Sequence, residues 1–138
     1  MLLVAGLGLV STSCGAAEPS NSFDQSFFVG TFDIVELRTD DTSFALSGDP
    51  TVVINQTDAS IAVDTNCNTH LGSYSLFESG TLSITLTGGT RRQCDGAAQR
   101  QDDSIVGTIE AVDTWTDTSE TSITLSTADG DTIELQRS

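Results

Sequence analysis

Apolar residues in this chain recur at every second position, in runs too short to be anything but strands. Val52 and Ile54, Ile61 and Val63, Leu82 with Ile84 and Leu86, Ile123 and Leu125, and Ile133 and Leu135 each alternate with polar neighbours. Side chains of a strand point to opposite faces in turn, so this pattern marks strands wet on one side and buried on the other, as in antiparallel sheets. Such a strand has only two or three apolar side chains to bury. Several must therefore close around one core. Polar breakers separate the runs: Thr57-Asp58-Ala59, Glu78-Ser79-Gly80, and Asp129-Gly130, whose Asp-Gly pair is a strong hairpin signal.

Two further strands complete the reading. Residues 30–37 place Phe32, Ile34 and Glu36 on one face and Val35 and Leu37 on the other. Residues 70–77 place Gly72, Tyr74 and Leu76 opposite Leu71, Ser73 and Ser75. Residues 39–50 read as a turn-rich loop, Gly88-Gly89 as the end of the strand before it, and residues 117–121 as a turn. After Cys94 the period changes. Ala98, Asp102, Ile105, Ile109 and Val112 fall on one face of a helix, with Gly107 weakening it by roughly 1 kcal/mol relative to alanine. The expected fold is mainly β with an α+β character: a small antiparallel barrel or sandwich of about seven or eight strands with one helix after Cys94.

The chain has 138 residues, a formal net charge of -15, five arginines and no lysine. A nucleic-acid partner requires a basic face, and docking on anionic lipid requires a basic cluster; neither is present. No run of apolar residues reaches the roughly 20 needed to span a bilayer as a helix. The sequence carries no G-x-S-x-G, H-E-x-x-H, phosphate-loop or dinucleotide motif. The acidic pairs Asp40-Asp41, Asp102-Asp103 and Asp129/Asp131 lack calcium-loop spacing. One histidine and no C-x-x-C make no zinc set. No metal and no cofactor are expected.

The amino terminus reads as an address. Residues 2–10 are apolar and uncharged, Ser11-Thr12-Ser13 are small, and Cys14-Gly15 follows. This is the form of a short secretory signal, and ending on cysteine it resembles the lipobox of bacterial lipoproteins. That resemblance implies cleavage before Cys14 and a lipid on its sulfur. Two departures stand against it: no Lys or Arg precedes the apolar run, and Ser11 occupies the usual leucine position. The division expected is a signal peptide over residues 1–13, a lipid-anchor tether over 14–26, small and polar with Pro19, and a domain over 27–138. With Cys14 assigned to the anchor, Cys67 and Cys94 remain as an even pair in an oxidising compartment, where such cysteines usually bond. The competing reading makes them a redox pair, or makes Cys67 a nucleophile with His70 three residues on.

Residues 66–94 gather the remaining chemistry: Asn66, Asn68, His70, Tyr74, Arg91 and Arg92. The asparagines suit turns, Gly72 suits a bulge or a close backbone approach, and Tyr74 suits a half-buried ring. Arg91 and Arg92 have two readings. They answer nearby acids such as Asp95, Asp102 or Asp103, or they grip a carboxylate or phosphate.

These landmarks resemble the META domain, the family of the heat-shock protein HslJ. Gly30-Thr31-Phe32 stands for its Gly-x-Trp opening. Cys67-Asn68 with Gly72 and Tyr74 stands for its Gly-Cys-Asn-x-x-x-Gly-x-Tyr, and Thr90 with Cys94 for its Thr-x-x-x-Cys. Asp102 takes a glutamate position, followed by Ile105, Val106, Ile109, Val112 and Trp115. Phe32, Asn66 and Arg92 depart from the family pattern. The resemblance implies a small β-rich domain, often exported and lipid-anchored, associated with envelope and stress responses including antibiotic tolerance. It brings no catalytic residue. The expected protein is a non-enzymatic envelope lipoprotein with a binding or stress-tolerance role, exported and held at a membrane through Cys14. Asn68, Tyr74, Arg91 and Arg92 form its candidate surface for an unidentified envelope protein or small ligand. The alternatives are a lipid-tethered protein-interaction or structural accessory and, third, a small hydrolase or redox protein.

Overall fold

The computed structural model describes residues 25–138. The signal peptide, Cys14 and nearly all of the expected tether lie outside the described residues. Nine strands and one helix make a single antiparallel sheet that curls into a half-barrel. The strands are β1 (Gly30–Thr39), β2 (Thr42–Phe44), β3 (Thr51–Asn55), β4 (Ser60–Asp64), β5 (Thr69–Leu76), β6 (Leu82–Gly89), β7 (Val112–Asp117), β8 (Ser122–Thr127) and β9 (Thr132–Arg137), and the helix α1 (Gly96–Ala111) joins β6 to β7. The spatial order is β6-β5-β4-β3-β1-β9-β8-β7, with β2 paired to β1. The two ends of the sheet meet at one bridge, Thr81 to Thr114.

The period-two runs form the core. Val52, Ile54, Ile61, Val63, Leu82, Ile84, Ile123, Leu125, Ile133 and Leu135 are all buried. The Asp129-Gly130 hairpin joins β8 to β9, with Gly130 at φ 92°. Helix α1 starts immediately after Cys94 because Asp95 caps it, its side chain accepting from the Ala98 N–H. It buries Asp102, Ile105 and Ile109, as the periodicity predicts, together with Gln101 and Thr108.

The first strand departs from expectation in a specific way. Phe32, Ile34 and Leu37 are all buried, while Val35 is 49% exposed. Opposite β9 the register shifts between Ile34 and Glu36. The extra residue of this bulge turns Leu37 onto the face of Phe32 and Ile34. Two strands went unread. β2 lies inside the expected loop of residues 39–50, and β7 follows α1 without a turn and runs into the segment expected to be one. β6 also takes in Gly88 and ends at Gly89, with a second bulge opposite Leu71 and Gly72.

One pole of the half-barrel is closed by the chain's entry. Residues Ser26–Phe28 make a 3-10 turn. Phe28 is fully buried edge-on to Tyr74 at 5.4 Å, and Phe27 lies 4.8 Å from Trp115. Trp115 in turn donates from Nε1 to Phe77 O, beside the β5–β6 turn. Arg137 at the end of β9 donates to Val29 O (2.8 Å) and Phe27 O (2.7 Å), holding this entry in place. The Thr69 end of β5, the Gly89 end of β6 and the start of α1 lie at the opposite pole.

Gly72 permits the tight β5–β6 approach at the second bulge. A Cβ there would collide with Thr85 O and stand 2.8 Å from Leu86 Cα. These are backbone atoms that cannot swing aside. Gly72→Ala is therefore expected to lower unfolding stability by about 2 kcal/mol or more, read as a shift of the urea midpoint with unchanged slope.

Candidate functional site

The pole opposite the entry is built from a turn, a loop and the first half of α1. The turn, residues 65–68, leaves β4 with Asn66 in the left-handed region at φ 76°, a conformation asparagine tolerates. Thr65 is fully buried, and its hydroxyl oxygen accepts from the N–H groups of Cys67 (3.3 Å) and Asn68 (3.2 Å). Its proton goes to Asp102 Oδ1 on α1, 2.6 Å away. The same carboxylate oxygen meets His70 Nε2 of β5 at 2.8 Å. Asp102 is 5% exposed, so one buried carboxylate links helix, turn and strand. Gln101, 2% exposed, does the same one residue earlier. Its Nε2 donates to Ser47 O and Thr65 O, and its Oε1 accepts from Ser47 N–H.

The loop after β6 is held from the other side. Cys67 and Cys94 form a disulfide with Cα atoms 6.0 Å apart. Closing a loop of about 27 residues stabilises by roughly 3.5 kcal/mol in the chain-entropy account. With both sulfurs bonded, neither is a nucleophile in this state. Asn68 supplies the second hold. Its Nδ2 donates to Arg92 O (3.1 Å), and its Oδ1 accepts from Arg92 N–H (2.6 Å) and Thr90 Oγ1 (2.8 Å).

Between the last residues of β6 and α1 lies an open cleft of about 440 Å³. Its walls include Leu86 and Gly89 of β6 and Gln99, Val106 and Glu110 of α1, with His70 and Asp102 also lining it and Arg91 and Arg92 at the loop. His70 pairs in register with Gly89, which has no side chain to cover the imidazole. Gly89 is itself required, because at φ 142° a Cβ would strike Thr69 O.

Two of the four candidate surface residues belong elsewhere. Tyr74 is not on the surface near the arginines. It is 6% exposed, packs on Phe28, and donates its hydroxyl to Asn55 O at 3.1 Å. Burial pushes its phenol above the ordinary 10.0, and the Asp58 charge adds to the effect. Asn68 borders the cleft, but it is 6% exposed and its carboxamide is engaged by the 90–92 loop. Its place in the family pattern is that of a backbone clamp. Arg91 and Arg92 do reach the cleft and are exposed. The expectation that they answer Asp95, Asp102 or Asp103 is corrected. Among the described residues the ion pairs are Arg38–Glu36 and His70–Asp102 only, Asp95 caps the helix, and Asp102 is committed to Thr65 and His70.

The sequence reading missed the clamp of Thr65, Gln101 and Asp102. One signal for it was present. Asp102 falls on the apolar face of α1, and a carboxylate buried there requires hydrogen-bonding partners. Asp102→Ala would remove the acceptor from the His70 ring and leave the Thr65 hydroxyl only the longer 3.2 Å bond to Asn68 O. The expected outcome is a loss of about 3 kcal/mol in unfolding free energy, with Asp102→Asn losing less because its Oδ1 still accepts from Thr65. Denaturant titration of both variants checks the order.

The structure is similar to solved proteins of low sequence identity. A protein from Burkholderia xenovorans, determined by NMR, aligns with TM-score 0.67 at 19% identity, covering 93% of this chain and 95% of that one. A DUF4847 family protein from Bacteroides vulgatus, solved by crystallography, aligns with TM-score 0.57 at 10% identity, covering 81% and 94%. A third structure, by NMR, aligns with TM-score 0.55 at 18% identity, covering 78% and 87%. At these identities the likeness concerns the fold. No curated protein matches the chain. The family model of the META domain matches residues 25–138, the whole of the described body. The chain belongs to the META domain family.

Proposed function

We propose that this META domain is a non-enzymatic binding module of the cell envelope, held at a membrane by lipid on Cys14. Its ligand sits in the cleft between β6 and α1, with an anionic group on Arg91 and Arg92. The observation that carries this reading is the arginine pair. Both side chains stand at an open cleft without an ion-pair partner among the described residues. The loop that presents them is fixed by Asn68 and by the disulfide. A loop whose main chain is already held loses less freedom when its arginines grip a carboxylate or phosphate. Of the groups that could suggest catalysis, Cys67 and Cys94 are both in the disulfide, and His70 at the cleft is paired with Asp102.

A second reading, a lipid-tethered protein-interaction accessory, is favoured by a different observation. Val53, Ala62 and Leu71 are register neighbours across β3, β4 and β5 on the outer face, and Leu71 is 51% exposed.

Titration of the 15N-labelled protein with succinate and with inorganic phosphate tests the cleft. Saturable shifts are expected in amides of residues 86–92 and 99–110, and at least a tenfold weaker response in an Arg91→Ala/Arg92→Ala variant. Absence of shifts with both anions, or shifts indifferent to the double substitution, would remove the anion site. Mass spectrometry of the mature amino terminus tests the anchor. A diacylglyceryl-modified Cys14 is expected; an unmodified Cys14 overturns it.

A further inference from the structure

We infer that the cleft takes an extended peptide with a free carboxyl terminus, added as a strand to the open edge of β6. This rests on the cleft reading above and names its ligand class. Three observations meet here.

The first is the edge. Among the described residues β6 is paired by β5 along one side, and on the other only at the Thr81–Thr114 bridge near its start. Past that bridge no strand pairs with its outer edge among the described residues, although β7 stays close to its first residues. Four consecutive residues at its end, Leu86, Thr87, Gly88 and Gly89, line the cleft. Gly88 and Gly89 have no side chains, so what they present to the cleft is main chain. An unpaired edge offers N–H and C=O groups to an incoming strand.

The second is the flank. Helix α1 runs along the far wall through Gln99, Val106 and Glu110. It stands across the open cleft from β6, in the path of the broad edge-to-edge approach of a second domain. The bulge at Thr87 adds to that obstruction by breaking the flat register that such an approach needs.

The third is charge placed at the two ends. The chain leaves β6, passes Arg91 and Arg92, and turns into α1, so the arginines and Gln99 lie at one end of the cleft. Glu110 lies eleven residues beyond Gln99, about 16 Å along the helix. A carboxylate on the arginines therefore sets the direction: the peptide runs parallel to β6 with its carboxyl terminus at the loop. About five extended residues span the distance to Glu110, which is placed to accept from an amino-terminal ammonium or a basic side chain. Val106 and the half-buried Leu86 offer apolar contact between the two ends.

The test uses pools of random pentapeptides on the intact protein, one with free carboxyl termini and one amidated. The free-acid pool is expected to bind at least tenfold more tightly and to slow hydrogen exchange at amides of residues 83–89. Arg91→Ala/Arg92→Ala should erase the difference between the pools. Glu110→Gln should weaken free-amine peptides more than acetylated ones. Equal binding of acid and amide pools, or protection that spares β6, overturns the inference. If succinate and phosphate move the arginine loop while no peptide protects β6, the anion site stands and the peptide assignment falls. If β6 is protected without peptide and the protein's mass by light scattering rises with concentration, the occupant is a second copy and the assignment also falls.

Discussion

A single buried carboxylate sets the geometry on which this half-barrel's functional pole depends. Asp102 meets the Thr65 hydroxyl at 2.6 Å and the His70 ring at 2.8 Å, while being 5% exposed. An isolated carboxylate at such a site is strongly unfavourable, and its hydrogen bonds offset the penalty; among the described residues no buried side-chain nitrogen or oxygen lacks a partner. The helix is thereby fixed in rotation as well as position. The apolar contacts of Ile105 and Ile109 bring α1 to the sheet. They are non-directional, and several small rolls of the helix would bury them comparably. The polar pair Gln101 and Asp102 selects one of those, because each atom has a defined partner on the 65–68 turn, on β5 or on the 47 loop.

Order at the loop follows from order at the helix. The turn that Thr65 closes presents both Cys67 and Asn68. Those two residues hold the 90–94 segment by a covalent bond and by a three-point carboxamide contact. The arginines therefore stand on a segment whose main chain is already fixed. The family landmarks Cys67, Asn68 and Thr90, of which Asn68 was expected on the binding surface, act as the scaffold behind it. The two arginines that face solvent are not family landmarks: Arg92 departs from the pattern and Arg91 lies outside it.

The legible parts of the fold were those where one strand face carries its whole apolar load. β3 with β4 and β8 with β9 are such hairpins, and their buried apolar residues are those the alternation names. The META resemblance, read from Cys67, Asn68, Gly72, Tyr74, Thr90 and Cys94, agrees with the family match. The bulge in β1 was not legible. One inserted residue leaves composition untouched and reverses the phase, so Leu37 read as outward. β7 was not legible either, because Asp113, Thr114, Thr116 and Asp117 are all exposed and only the half-buried Trp115 lies between them. The site was half legible for a related reason. Arg91 and Arg92 stand out as cations in an acidic chain. That Asn68 turns inward depends on a partner loop more than twenty residues away, which local spacing does not encode.

The latch at the entry pole has a mechanical consequence. Arg137 grips the carbonyls of Val29 and Phe27, and Phe28 is seated in the core just before β1. β1 is flanked by β3 and β9 in the middle of the sheet. Tension applied through the chain at residue 25 would therefore load the β1–β3 and β1–β9 ladders in shear, where many hydrogen bonds share the force. The Asp102 clamp and the disulfide at the far pole lie off that line of force, so the cleft keeps its shape under that load.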